Sequence, residues 1–399
     1  VERIDILGNN ITAESVIRGE LIVDEGDPFT KLGLEKSVAE LKSRNIFKDV
    51  SYEVENGSKD NLKKIKINIQ EKPTGEISAG AGVGTNGGSF AVSVKENNYL
   101  GEGKQLGFNL ELDKESLAGT LSYNNPNYDF LGNSIYYSLS SEKNDVPTRG
   151  YENSIISAAV STSFEQYKDI DLTLGLTASY DDLTTLSSAS TALQKQSGEF
   201  EEISANYGIS YDKRDRKFMP TNGSVVAFNQ TIPLYADKGS IGNTFAASNY
   251  FSFSEDIVTA TKFYIATVNS IDDDVRLSKR KSLSTARLRG FEKGKIGPVD
   301  GTDHIGGNYA AALNFEANLP NFLPEDSQTD VSLFLDFGNV WGVDYDSSLE
   351  KNNKIRSSTG VSASWNSPLG PMTFVFSQAL QKANTDKTES FNFNLGTTF

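Results

Sequence analysis

The sequence contains no cysteine and only one histidine, His304, among its 399 residues. The lack of cysteine excludes disulfide bridges, thiolate metal sites and cysteine nucleophiles. A single histidine cannot build a histidine-rich metal cluster, and a Ser-His-Asp enzyme would have to use His304 as its base. The glycines of residues 80–88 are not followed by the helix that a nucleotide-binding fingerprint requires. We therefore expect no catalytic residue, no metal site and no cofactor.

Basic residues and long hydrophobic runs are also scarce. The chain has 38 Lys and Arg against 53 Asp and Glu, a formal net charge of −15, which argues against nucleic acid as a partner. No run approaches the ~18 apolar residues of a membrane helix, and the mean hydropathy is −0.40. A membrane β-barrel remains compatible with these values because its strands alternate lipid-facing and lumen-facing residues.

Residues 1–72 have the pattern of a small α+β domain with the element order β-α-α-β-β. Thr12 and Thr30 are each placed to cap a helix, and Ile65, Ile67 and Ile69 alternate with polar residues as in a half-buried strand. The chain begins at Val1 without an initiator Met or a signal peptide, so we expect a mature protein or an excised piece. The Pro-Thr-Gly sequence at 73–75 marks the linker to the next region.

Residues 73–399 lose all helical periodicity. Segments of about ten residues alternate in polarity and are separated by clusters of Gly, Asn, Asp, Pro and Ser, which is typical of a transmembrane barrel of about 16 antiparallel strands. The faces opposite the apolar ones are often Gly, Ser, Asn or Thr, which suits a wet lumen better than the dry interior of a soluble β-sandwich. A long loop is predicted at residues 271–306.

Several strings, in chain order, resemble motifs of the outer-membrane protein assembly-factor superfamily. They are NYLGEG at 98–103, YDKRDRKFMPTNG at 211–223, RLRGF at 287–291, GGN at 306–308 with LNFE at 313–316, FLDFGNVW at 334–341 and WNSPLGP at 365–371. Leu288 stands where the family usually has Val. The N-terminal domain resembles the family's POTRA domains, of which members carry several, so the resemblance implies that residues 1–72 are the last of a longer array.

The resemblance implies a function as well as a fold. It implies that the chain folds and inserts β-barrel precursors into the outer membrane of a Gram-negative bacterium through a lateral gate, without nucleotide, with the POTRA domain in the periplasm. Unfolded barrel precursors, periplasmic chaperones, accessory lipoproteins and outer-membrane lipid would be the partners. The alternative within the superfamily is a polypeptide translocator of the autotransporter-assembly or two-partner-secretion type. A porin would not explain the POTRA-like domain.

The resemblance assigns a lock to the long loop. In the family this loop folds back into the lumen, and the arginine of its Arg-Gly-Phe motif pairs with acidic residues on the facing strands. The matching residues here are Arg289, Gly290, Phe291, Glu316 and Asp336. A guanidinium can hold two carboxylates in a partly dry lumen, whereas the alternative is a solvent-facing arginine that contributes little.

Two strand edges are further candidates. The first is a gate between the first and last barrel strands, which are rich in glycine; the alternative is that these glycines serve barrel curvature alone. The gate residues are Ile77, Ala79, Ala81, Val83, Phe391, Phe393, Leu395, Gly396 and Phe399. The second is the edge of the second POTRA strand at Val50, Tyr52 and Val54, which would pair with a partner strand or remain an ordinary solvated edge.

Overall fold

The computed structural model describes residues 1–84, 87–129, 132–146, 149–216, 220–254, 257–271, 274–319, 329–346, 348–349, 353–367 and 370–396. The chain divides into two compact units. The first comprises Val1–Ile77, Ser93–Phe108 and Leu121–Tyr137, and the second comprises Ser78–Val92, Asn109–Thr120 and Ser138–Phe399. Among the described residues, no helix is long and apolar enough to cross a bilayer.

The N-terminal region forms the predicted β-α-α-β-β domain. Its elements are β1 Arg3–Leu7, α1 Glu14–Gly19, α2 Lys31–Ser43, β2 Phe47–Asn56 and β3 Lys63–Glu71. The sheet order is β1-β3-β2, with β1 parallel and β2 antiparallel to the central β3. Ile65 and Ile67 on β3 are fully buried, because a central strand covered by helices places one of its two faces in the core.

The core of this domain lies between the sheet and the two helices. Its buried residues are Ile4, Ile17, Leu34, Val38, Leu41, Ile46, Phe47, Val50, Ile65, Ile67 and Ile69. Thr30 caps α2 as predicted, accepting a hydrogen bond from the amide of Gly33. The predicted cap at Thr12 is wrong: Ala13 precedes α1 without a side-chain cap, and the Thr12 hydroxyl accepts a hydrogen bond from Asn98 instead.

The remaining elements are nearly all strands. In chain order they are β4 Gly75–Gly84, β5 Gly87–Tyr99, β6 Lys104–Leu112, β7 Ser116–Asn125, β8 Ser134–Val146, β9 Tyr151–Tyr167, β10 Ile170–Thr185, α3 Thr191–Gln194, β11 Gly198–Asp212, β12 Gly223–Ala236, β13 Ser240–Ser252, β14 Val258–Ser270, β15 Val299–Asp300, β16 Asp303–His304, β17 Tyr309–Asn318, β18 Thr329–Trp341, β19 Arg356–Ser367, β20 Gly370–Gln381 and β21 Phe391–Gly396. β15 and β16 pair only with each other.

The other sixteen of these strands form a closed barrel. They follow one another around the barrel in sequence order, and β21 returns to pair with β4. The predicted 16-stranded antiparallel barrel is confirmed. Closure matters physically because an open sheet edge would leave main-chain groups without partners in lipid.

Within the first unit, the turn between β5 and β6 contacts the loop that precedes α1. The amide of Ala13 donates to the carbonyl of Gly101 over 2.8 Å. The amide group of Asn98 donates to the Thr12 hydroxyl over 2.9 Å, and its oxygen accepts from the amide of Gly103 over 2.7 Å. Thr12 and Asn98 are both buried. The NYLGEG motif therefore belongs to the joint between the N-terminal domain and the β5–β6 turn.

Replacing Gly101 with alanine should loosen this joint. Gly101 has φ +73°, and a Cβ there would lie 2.2 Å from the carbonyl oxygen of Ile11. The left-handed conformation alone costs a non-glycine residue about 1–2 kcal/mol, and the collision adds to this. Hydrogen exchange of the Ala13 amide should accelerate about tenfold or more. Gly19→Ala is the control, because its Cβ would meet nothing within 4 Å; equal exchange in both variants would contradict the expectation.

Candidate functional site: the loop lock and the strand seam

The part of the long loop that carries the Arg-Gly-Phe motif packs on the barrel wall. Its apolar residues Leu283, Leu288, Phe291 and Ile296 share a buried cluster with residues of β17 and β18. The β17 and β18 members are Ala310, Ala312 and Val340. This cluster holds the loop segment that carries the Arg-Gly-Phe motif close to the two strands that carry the acidic residues.

The structure brings the lock residues Arg289, Glu316 and Asp336 together. The Arg289 guanidinium donates from Nε and Nη2 to the two oxygens of Asp336 over 2.7 and 2.6 Å. Its Nη1 donates to Glu316 over 2.7 Å. The Asp336 side chain is fully buried. A bidentate, charge-assisted pair of this kind fixes both the position and the orientation of the arginine.

Neighbouring groups complete the charge balance of the lock. Lys262 Nζ lies 2.5 Å from the second oxygen of Glu316, so two cations face two carboxylates. The side-chain amide of Asn314 donates to Asp336 over 2.8 Å. The Arg289 guanidinium also lies over the ring of Phe334, 3.7 Å from its centroid. Every charge in the cluster has a partner of opposite sign, which is the condition for burying it.

Gly290 and Phe291 shape the turn beside the lock. Gly290 has φ +86°, and a Cβ there would lie 3.1 Å from the Cβ of Ser358. The turn therefore requires glycine for its conformation and has little room for a side chain. Phe291 is buried in the cluster on the barrel wall. The five residues assigned to the lock thus lie in one connected site.

Sequence reasoning missed several residues of this site. Lys262, Asn314 and Ser358 lie in strands whose pattern does not distinguish them from ordinary lumen-facing residues. Gly338 was also missed, although the glycine of the FLDFGNVW motif could have signalled a close approach. A Cβ at Gly338 would lie 2.8 Å from Leu283 Cδ1, so this glycine makes room for the loop.

Three further buried arginines, none expected from the sequence, anchor loop residues. Arg276 pairs with Glu202 on β11. Arg280 Nη2 lies 2.6 Å from Asp344. Arg356 holds Asp386 through two hydrogen bonds of 2.9 Å, and both side chains are fully buried.

Removing the Arg289 side chain should destabilise the barrel. Arg289→Ala would leave Asp336 buried without its cation, a change that typically costs about 3–5 kcal/mol. The temperature at which the protein loses its heat-resistant migration in a detergent gel should fall. Arg289→Lys should recover only part of the loss, because an ammonium cannot form the two-pronged pair. Lys213→Ala, which removes a half-exposed pair with Asp169, is the matched control; an equal effect in both variants would count against the lock.

The seam is the joint between β21 and β4. Among the described residues, three pairs join the strands: Asn394 with Gly84, Leu395 with Val83, and Gly396 with Gly82. On its other side β21 makes five described pairs with β20. Phe374 stacks on Phe393, and Phe376 packs against Phe391, with ring centroids 5.1 and 5.0 Å apart. These aromatic pairs attach the last strand to β20.

The predicted gate residues lie on the two strands of this seam. Ile77, Ala79, Ala81 and Val83 all point to the exposed outer face of β4, with Ile77 81% and Val83 52% exposed. Leu395 and Gly396 belong to the three pairs, whereas Phe391 and Phe393 make their register pairs with β20. Phe399 lies outside the described residues.

The predicted partner edge lies on a free edge of the N-terminal sheet. β2, which carries Val50, Tyr52 and Val54, pairs only with β3. The opposite edge is β1, where the amide of Ile4 donates to Glu25 and its carbonyl accepts from Arg18. Side chains thus form hydrogen bonds with main-chain groups at the edge of β1. This leaves the edge of β2 better suited to pair with an added strand.

His304 is buried in the long loop, with 4% of its surface exposed. Burial, followed by the positive charge of Lys295, lowers the pKa of His304 to about 4. Its Nδ1 has no hydrogen-bond partner among the described residues. A histidine with so low a pKa is a weak base, so the site does not resemble that of a hydrolase.

The buried His304 should make the loop sensitive to acid. Its pKa is near 6.5 when unfolded and about 4 when folded, so the unfolded state takes up the proton first and stability falls as the pH drops between these values. From pH 7.5 to 5 the loss should reach about 2 kcal/mol. The midpoint temperature of the gel-migration change should fall less over this pH range in His304→Gln than in the unmodified protein. Equal pH dependence would contradict the role of His304.

Two family descriptions match the chain. Residues 98–399 match the Omp85 superfamily domain, and residues 1–72 match the POTRA family described as a surface antigen variable number repeat. The outer membrane protein assembly factor BamA of Neorickettsia risticii is 26% identical over the whole chain and 55% of its own length. The chain spans about half the length of the curated relatives it matches.

Solved structures show the same architecture. BamA from Haemophilus ducreyi lacking POTRA domains 1–3 is 25% identical and has a TM-score of 0.91, over 100% of this chain and 84% of that one. CdiB from Acinetobacter baumannii shares the fold at 11% identity and a TM-score of 0.63, over 100% of this chain and 74% of that chain. Both matches extend over the N-terminal domain and the barrel.

Proposed function

The chain belongs to the Omp85 superfamily, and from this premise we propose that it folds β-barrel precursors and inserts them into the outer membrane. The matching relative from Neorickettsia risticii is named as such an assembly factor. An outer-membrane location agrees with the family and with the 16-stranded barrel. The proposed cell is a Gram-negative bacterium, with the POTRA domain at 1–72 in the periplasm and the barrel at 73–399 in the membrane.

The meeting of the first and last barrel strands is the observation that carries the proposed mechanism. Three described pairs close the barrel between β21 and β4, and two of them involve glycines of the two strands. Separation of these strands exposes main-chain donors and acceptors on β4, which a precursor strand can pair with by β-augmentation. A gate at this seam lets the precursor leave sideways into lipid.

The lock has a complementary role in this mechanism. It ties the long loop to β17 and β18, which lie four and three strands from β21 in the barrel order. A wall held by the lock keeps these strands in place while the seam parts. We propose that Arg289 contributes to insertion by this stabilisation and not by contact with the precursor.

The POTRA domain is the proposed receiving surface for partners. The open edge of β2 offers main-chain groups to an extended segment of a precursor. Periplasmic chaperones would deliver precursors, and accessory lipoproteins would complete the assembly complex. Burial of apolar side chains and of main-chain hydrogen bonds in lipid drives insertion, so the process needs no nucleotide.

The second candidate function is polypeptide translocation, the alternative that the superfamily resemblance leaves open; CdiB shares the fold. Lipid vesicles distinguish the two. Full-length protein is reconstituted, and the folding of an unfolded client barrel is followed without nucleotide. Acceleration supports the assembly factor. Passage of polypeptide into the vesicle interior without accelerated folding would replace that proposal with the translocator.

A disulfide across the seam should abolish insertion. Val83 and Leu395 are register partners, and the natural sequence has no cysteine to interfere. Full oxidation of the Val83→Cys, Leu395→Cys protein should lower the client folding rate at least about tenfold, and reduction should restore it. A pair at Val226 and Ala247, register partners within β12 and β13, is the control. Undiminished insertion by the fully crosslinked seam would exclude a lateral gate.

A further inference from the structure

Residues 386–390, just before the last strand, have different binding partners from the strand itself. We call it the root segment. It follows the turn after β20 and leads directly into β21 at Phe391. The seam partner β4 makes its described pairs with residues 394–396 only. The contacts of the root segment come instead from the long loop, β19 and β20.

The long loop binds the root segment through main-chain hydrogen bonds. The amide of Glu389 donates to the carbonyl of Gly290, and the amide of Glu292 donates to the carbonyl of Lys387, both over 3.1 Å. Phe291 and Thr388 lie opposite each other in an antiparallel bridge between these bonds. The Arg-Gly-Phe turn thus acts as a short strand alongside the root segment.

The same turn connects the root segment to the lock. Gly290 and Phe291 directly follow Arg289, whose side chain is fixed between Glu316 and Asp336. The carbonyl of Arg289 accepts a hydrogen bond from the hydroxyl of Ser358 on β19. Displacement of the root segment would therefore pull on a turn that is anchored at a buried ion pair.

Two barrel strands hold the root segment from the other side. On β20, the Ser377 hydroxyl donates to the carbonyl of Glu389, and the Ser377 amide donates to the carbonyl of Ser390, both over 2.9 Å. At the start of β19, Arg356 forms the fully buried pair with Asp386. Asp386 also accepts the amide of Ala383 over 2.6 Å. A segment held by the long loop, β19 and β20 together resists displacement.

We propose that the root segment is a fixed pivot for β21, held by the Arg-Gly-Phe turn, Ser377 and Arg356. The inference rests on the proposed lateral gate. The seam opens at residues 394–396, and β21 swings while residues 386–390 remain bound to the long loop. Ser377 and Arg356 are positioning residues in this arrangement. The lock thereby controls how far the opening travels along β21.

Two disulfides in the cysteine-free chain test the pivot. Glu292 and Lys387 lie opposite each other beside the Phe291–Thr388 bridge, and their backbones, not their side chains, form the ladder. Full-length protein with Glu292→Cys and Lys387→Cys should form the disulfide and keep client folding in vesicles within about twofold. The Val83–Leu395 disulfide should block it.

Each outcome has a distinct meaning. If both disulfides block insertion, the root segment must leave the long loop and the pivot is wrong, while the lateral gate stands. If the seam disulfide fails to block insertion, the gate itself is wrong. Failure of the Glu292 and Lys387 cysteines to crosslink in the folded protein would also overturn the pivot, because the ladder places them opposite each other.

A second measurement tests the coupling to the lock and the role of Ser377. The rate of disulfide formation between the cysteines at 292 and 387 is compared in three backgrounds. Arg289→Ala and Ser377→Ala should each slow it at least about threefold, since both release one side of the ladder. Ser362→Ala is the control, because this β19 hydroxyl pairs with Ser332 and not with the root segment. Unchanged rates in Arg289→Ala would show that lock and pivot are independent.

Discussion

The buried ion pair between Arg289 and Asp336 is the interaction on which the rest of this structure depends. Asp336 has no exposed surface, so its charge is tolerable only with a cation in place. Arg289 reaches it because Leu283, Leu288 and Phe291 pack the long loop against the wall. The apolar contacts and the ion pair therefore require each other: the first brings the arginine to the carboxylates, and the second fixes the orientation of the turn.

The last strand, β21, has different neighbours on its two sides. Among the described residues it makes five register pairs with β20 and three with β4, and its phenylalanines pack on those of β20. Since each main-chain hydrogen bond adds only about 0.5–1.5 kcal/mol, the aromatic pairs contribute much of the attachment of β21 to β20. In the proposed gate, β21 parts from β4, and these contacts keep it attached to β20.

The architecture could be predicted well from the sequence, because barrel strands have period-two patterns and the motifs occur in a fixed order. It predicted the element order of the N-terminal domain, the barrel and the meeting of Arg289 with Glu316 and Asp336. It failed at Thr12, where a tertiary hydrogen bond from Asn98 replaced the local helix cap. It also missed Lys262, Ser377 and Arg356. These residues gain their roles from partners far along the chain, which alternation in a single strand does not encode.

The position of the root segment gives the lock a second consequence. Arg289 pairs with β17 and β18, but the next residues bind the chain just before β21. One turn thus connects the middle of the wall to the strand at the seam. A displacement of β21 would reach the ion pair through the hydrogen bonds between the root segment and the turn, because Gly290 directly follows Arg289. A long loop inside a barrel is costly in conformational entropy, and in the proposed gate its contacts connect the wall to the strand that moves, which is a physical reason for retaining it.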